Sequence, residues 1–144
     1  MTKIIDDYVG CETAKILAQK GFDEFCHAYY EATGEFQPVY EKMRNSESDT
    51  KLYDEDNEAV VFYAAPTLQM VVEWLRVRFG LFVTVKFDGC NGKTHQYYFT
   101  VQWVGEGEPT YAREKLDGLG RFLRYKTPSD AYRAAIDEVL TKII

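Results

Sequence analysis

Histidine and cysteine are scarce in this chain, with two of the first and three of the second among 144 residues. Structural zinc draws four Cys or His ligands, commonly in close pairs. Cys11, Cys26 and Cys90 stand far apart, and neither they nor His27 and His95 supply such a pair, so no metal site is expected. An odd, sparse set of cysteines is not a disulfide framework either, and points to a reducing cytoplasm. No run approaches the roughly 18 apolar residues of a membrane span. Asp6 and Asp7 fall where a signal peptide needs an apolar core. Four prolines and ten glycines are too few for a collagen-like or low-complexity chain.

What the chain does have is an ordinary globular composition, 46% hydrophobic and 28% charged, with many aromatics: eleven Tyr, nine Phe and two Trp. Its length suits a single domain that folds without a staple. The net charge of −6 argues against a polyanion wrapped over the whole surface. The charge is uneven, however. Residues 1–66 hold 14 acidic and six basic residues, whereas residues 67–144 hold nine acidic and eleven basic.

Periodicity predicts an α+β fold in the order α-β-β-β-α-β-β-(β)-α, an antiparallel sheet of four to six strands with three helices on one face. The first helix covers about Cys11 to Lys20, with Ala14, Leu17 and Ala18 as its apolar stripe. Gly21 sits where a left-handed C′ residue belongs, and Phe22 is placed to fold back on Leu17. Cys26–Ala32 and Glu35–Tyr40 read as strands, the second an edge because Pro38 cannot donate to a ladder. Residues 41–58, with seven acids and three bases, read as a long acidic loop, and Val60–Ala64 as a short strand. The second helix follows the Thr67 cap and stops at Gly80.

Leu81–Asp88 and Thr94–Val104 form a hairpin across residues 89–92. Leu81, Val83, Val85 and Phe87 share one face with Tyr97, Phe99, Val101 and Trp103 of the partner strand. Phe82, Thr84 and Lys86 share the other with Gln96, Tyr98, Thr100 and Gln102. One face is packed and the other is wet. Residues 105–120 read as irregular, and Phe122–Tyr125 as a short strand. The last helix opens on Thr127-Pro128 with Asp130 in capping-box position, and carries Ala131, Ala135, Ile136, Val139, Leu140 and Ile143 as its stripe. Leu17–Phe22 and Leu75–Leu81 each end a helix before a hairpin, a pattern shared by a faint internal repeat and by two ordinary helix stops.

Catalytic motifs fail one by one. Gly89-Cys-Asn-Gly-Lys-Thr94 ends like a phosphate-binding loop, but Phe87 occupies the position of its first glycine and a strand follows where a helix is needed. Cys26 and His27 are neighbours on a strand, so their side chains point to opposite faces. No Ser lies in a nucleophile elbow, and the Asp54–Glu58 run lacks the glycine of a calcium loop. No cofactor is expected, and a non-enzymatic protein-interaction module is favoured over an enzyme.

Two surfaces can carry an interaction. The first is the wet face of the hairpin, where Phe82 and Tyr98 stand among Gln96, Thr100 and Gln102. Large aromatics in a polar setting are what interface centres use. The alternative is a strip that interleaves bases with aromatics, Arg121, Arg124, Tyr125 and Lys126, suited to single-stranded nucleic acid.

Gly21-Phe22-Asp23-Glu24 after a helix, Ala65-Pro66-Thr67-Leu68 followed by Trp74-Leu75-Arg76, and a closing Tyr125, Ala131, Ile136, Leu140 together give the chain a family likeness. It resembles small uncharacterised proteins encoded by phages, prophages and other mobile elements of gut anaerobic bacteria. Thr127-Pro-Ser-Asp130 departs from the Glu-Glu-Ala form usual in that group. The resemblance implies a bacterial cytoplasmic setting and a protein partner, and it carries no site residue with it.

Overall fold

The computed structural model describes residues 7–47, 61–91, 94–104, 109–114 and 124–144. The chain forms two compact units, residues 1–67 and 68–144. The α+β class and the order of helices and strands are those expected. The six strands among the described residues, however, divide into two three-stranded antiparallel sheets rather than joining in one. Alternation fixes which face each side chain takes, but backbone pairing is chosen by neither face.

In the first unit, helix α1 (Cys11–Gln19) precedes strands β1 (Cys26–Glu31), β2 (Phe36–Met43) and β3 (Phe62–Ala64), in sheet order β2-β1-β3. The helix ends as its sequence dictates. Gly21 takes a φ of 91° and donates to Ala18 C=O, while Phe22 N–H reaches Leu17 C=O at 2.9 Å, the paired bonds of a Schellman ending. Leu17 and Phe22 are both buried. Pro38 lies on an edge strand, as its missing N–H requires. Glu41–Met43, expected to open the acidic loop, instead prolong β2 and pair Met43 with Cys26. A 3₁₀ turn follows at Asn45–Glu47, and residues 48–58 of that loop lie outside the described residues.

That turn is clamped from two sides. Asn45 donates its side-chain amide to Phe22 C=O at 2.7 Å, and its Oδ1 accepts from the N–H of buried Ala64 at 2.8 Å. Asp23 accepts from Ser46 N–H at 2.7 Å and pairs with Arg44 at 3.3 Å, and the Arg44 guanidinium lies 4.5 Å from the centre of the Phe25 ring. Burial alone would raise the Asp23 pKa, but the Ser46 hydrogen bonds and Arg44 outweigh it and hold the carboxyl below its usual range. Tyr30 closes the core by donating its hydroxyl to Val9 C=O at 2.7 Å, and its ring meets Phe36 edge-on.

In the second unit, helix α2 (Leu68–Phe79) leads into strands β4 (Leu81–Asn91), β5 (Thr94–Val104) and β6 (Pro109–Glu114), in simple order β4-β5-β6, and helix α3 (Pro128–Glu138) closes it. Gly80, at φ 67°, ends α2 by donating to Arg76 C=O at 3.1 Å. Both helices pack on the face that carries Leu81, Val83, Phe99 and Val101, all buried. Ala131, Ala135 and Ile136 of α3, with Val139 and Leu140 just after it, are buried as well. Removing side chains of Val, Leu, Ile or Phe size from water is worth about 1.5–3 kcal/mol each, so this face is where the unit's stability resides. Thr127 caps α3 by accepting from Asp130 N–H at 3.1 Å, and the helix runs on into a π-helical turn over Val139–Ile143.

Three sequence expectations are corrected in this unit. Strand β4 continues to Asn91, so Gly89 is no turn residue; its φ of 82° serves a bulge between Phe87 and Cys90. Residues 109–114 of the stretch expected to be irregular form β6, an edge strand begun by Pro109 and paired with β5 through the backbone. Residues 122 and 123 of the expected last strand lie outside the described residues, and Tyr125 contributes a single bridge to Tyr97. Phe87, assigned to the packed face, is 57% exposed and leans on Tyr97 with ring centres 5.4 Å apart. Period-2 alternation names a side of the sheet, not how far along it burial extends. The two units also share helix-then-hairpin but add their third strand differently, which limits the repeat suggested by the helix stops.

Candidate functional site

The open face of the second sheet is built in rungs by the β4–β5 register. Phe82 lies opposite Gln102, Thr84 opposite Thr100, and Lys86 opposite Tyr98. Directly opposed residues share a face. Phe82 is 39% exposed, Thr84, Lys86 and Gln102 are exposed, and Tyr98, Thr100 and Gln96 are half-buried. The face expected to be wet is therefore the face left open by α2 and α3.

The two aromatics are not neighbours. Tyr98 stands four residues along β5 from Gln102, the partner of Phe82, a separation of about 14 Å at ~3.4 Å per residue. The Thr84–Thr100 rung lies between them. Gln96 falls between the Phe87–Tyr97 and Cys90–His95 pairs, opposite the bulge at residues 88 and 89. The sheet twists more strongly at a bulge, so Gln96 is offset from the three regular rungs.

Of the alternative strip, Arg121 lies outside the described residues. Tyr125 is half-buried and is no stacking platform on the open face. Its ring lies 6.1 Å from that of Phe99, on the helix-covered side, and burial together with the charge of Glu138 raises its phenol pKa. Glu138 is itself buried and pairs with Lys142 at 3.3 Å. The backbone of Tyr125 does something the sequence does not announce. It exchanges two hydrogen bonds with Tyr97, at 2.9 and 2.8 Å, in an antiparallel bridge.

That bridge brings the two candidate surfaces together. Antiparallel register carries Arg124 to the level of Tyr98 and Lys126 to the level of Gln96. Arg124, next to the bridge, alternates in sense with Tyr125, whereas the chain bends at Lys126. Arg124 and Lys126 are both exposed. Tyr98 thus sits in a rung between Lys86 on one side and Arg124 on the other. Sequence reading treated Lys86 as one more polar residue of an alternating strand, and nothing local to it marked the cationic partner 38 residues away.

Elsewhere the chemistry is muted. Cys26 is fully buried with its thiol against Glu24 C=O at 3.4 Å, and burial, aided by the charge of Glu24, raises its pKa to about 12. His27 is exposed, so the neighbours do face apart. Cys11 and Cys26 are free thiols. No group of three or more His, Cys, Asp or Glu among the described residues is placed to hold a metal. No described helix is long and apolar enough to cross a membrane. No protein-family model, curated protein or solved structure matches the chain.

Proposed function

We propose that this chain acts by binding a protein partner through the open face of the β4–β5 hairpin, in the bacterial cytoplasmic, phage or mobile-element setting that its sequence resemblance implies. The observation that carries the reading is Phe82: a large aromatic, 39% exposed, set among Thr84, Thr100 and Gln102 on the face away from the helices. Aromatics of this kind bury much area at little rotamer cost, and the polar neighbours supply the hydrogen bonds of an interface rim. A second reading, single-stranded nucleic acid, is favoured by one observation, the bridge that sets Arg124 beside Tyr98.

The test is an affinity capture from bacterial lysate, read by mass spectrometry, with the parent chain and a Phe82→Ala, Tyr98→Ala variant. The expected result is a protein retained by the parent and lost from the variant, whose melting temperature stays within a few degrees. Retention of the same protein by both chains would move the site elsewhere. A salt-sensitive shift of single-stranded DNA, with no protein retained, would favour the second reading.

A further inference from the structure

We infer that the chain pairs with a second copy of itself along the outer edge of β4, in an antiparallel register centred on Thr84. This contact uses the edge of the sheet rather than its face, so it goes beyond the open-face reading and does not depend on it.

The Tyr97–Tyr125 bridge decides which backbone groups of β4 reach that edge. Tyr97 turns its N–H and C=O toward Tyr125, and so away from β4. Phe87–Tyr97 is therefore a pair without hydrogen bonds in the β4–β5 ladder. Alternation then makes Lys86–Tyr98, Thr84–Thr100 and Phe82–Gln102 the bonded pairs, and the N–H and C=O groups of Val83 and Val85 point outward. Strand β4 stands first in the order β4-β5-β6, so no strand among the described residues meets them. A row of outward backbone donors and acceptors is a template for another strand.

The length of the regular stretch selects the occupant and its register. Strand β4 follows β5 without interruption from Leu81 to Phe87; Gly80 ends α2 just before it, and the bulge comes just after. Two identical antiparallel strands are related by a two-fold axis, the commonest symmetry of homo-oligomers. The axis that pairs this whole stretch with itself passes through its midpoint, Thr84. Val83 then falls opposite Val85 of the second copy, and each such pair exchanges two hydrogen bonds through the groups that point outward. On the open face, Thr84 meets Thr84, and the exposed Phe82 meets Lys86 of the second copy, a cation against a ring. An axis moved to Lys86 would instead oppose two like charges and leave Leu81 and Phe82 unmatched. The Thr84 register also brings Phe87, 57% exposed, level with Leu81 of the second copy, two residues beyond the exposed Phe79 that ends α2.

Sedimentation equilibrium of the full-length chain over a range of concentrations measures the association. The parent is compared with Thr84→Lys, Val85→Pro, Thr84→Cys and Gln102→Cys. Thr84 and Gln102 are exposed, so their variants should melt within a few degrees of the parent. Val85→Pro removes an N–H that the ladder to β5 does not use. The parent is expected to form a dimer. Thr84→Lys should weaken it about fivefold or more by opposing like charges, and Val85→Pro should leave monomer. Without reductant, Thr84→Cys should cross-link to itself, because the two Cα atoms of such a pair lie about 4.5 Å apart, within disulfide reach. Mass spectrometry of the linked peptide should join residue 84 of both copies, and Gln102→Cys, one strand further in, should form no such link at residue 102. A parent that stays monomeric throughout would overturn the inference. So would a dimer that neither Thr84→Lys nor Val85→Pro weakens, or one that cross-links through residue 102 and not through residue 84. Should Val85→Pro fail to fold, Thr84→Lys and the cross-links decide by the same outcomes.

Discussion

Tyr97 and Tyr125 exchange both of their backbone hydrogen bonds, at 2.9 and 2.8 Å, although 28 residues separate them. The bridge occupies the edge of β5 next to the stretch that β6 covers, since the described residues of β6 pair with Thr100 to Val104. One pair of hydrogen bonds thereby fixes where the cations of the C-terminal strip meet the hairpin.

Tyr125→Pro removes the N–H of the 2.8 Å bond and leaves Tyr97 C=O without that donor. The expected loss is at least about 1 kcal/mol of stability, read from urea unfolding. Binding of any open-face ligand should weaken with it, because Arg124 and Lys126 lose their register. Unchanged stability would show that the bridge contributes nothing.

Val101→Asp tests which side of the second sheet is packed. Val101 is fully buried opposite Val83 on the helix-covered face. An unpaired carboxylate there costs several kcal/mol, of the order of a small protein's whole stability. The second unit is expected to lose its cooperative melt by circular dichroism. Thr100→Asp, one residue away on the open face, should melt within a few degrees of the parent.

Asn45→Ala removes both ends of the clamp on the turn after β2. The Ala64 N–H is then buried without its acceptor, at an expected cost of about 1–3 kcal/mol, read as a lowered melting temperature. Asp23, beside it, is held below the ordinary carboxylate value, so its contribution is complete above that value and is lost as pH falls through the folded one. Asp23→Asn should therefore flatten the acid limb of the stability curve and leave the neutral region's slope unchanged.

Gly21→Ala forces a side chain into φ 91°, where nothing lies within 4 Å of the added carbon. The penalty is then purely conformational, roughly 1–2 kcal/mol for a left-handed residue. Chemical denaturation of the variant measures it directly, and a loss well outside that range would mean that the Schellman ending does not hold α1.

Cys26 should resist thiol reagents in the folded chain at pH 8, while unfolded protein titrates three thiols. Its folded pKa of about 12 exceeds the ordinary 9.0, so the unfolded state releases its proton first as pH rises. Stability from this group is therefore full below about pH 9 and declines between there and pH 12. Cys26→Ser, titrated over that window, should lose less stability with rising pH than the parent.

Local chemistry alone specified the ends of α1, α2 and α3, because a left-handed glycine or a Thr-Pro start acts within a few residues. It also specified the two faces of β4 and β5, since side-chain alternation is a property of any extended chain. The division into two sheets, the recruitment of β6 and the exposure of Phe87 were decided by tertiary structure. Each depends on backbone pairing or on how far burial extends, and neither leaves a mark on hydrophobic periodicity. The candidate site divides the same way. Phe82, Gln96, Tyr98 and Thr100 were legible from alternation, but Lys86 and Arg124 flank Tyr98 only because two backbone hydrogen bonds hold Tyr125 against Tyr97. Those bonds join N–H and C=O groups that every residue except proline carries, so no side-chain pattern could have announced them.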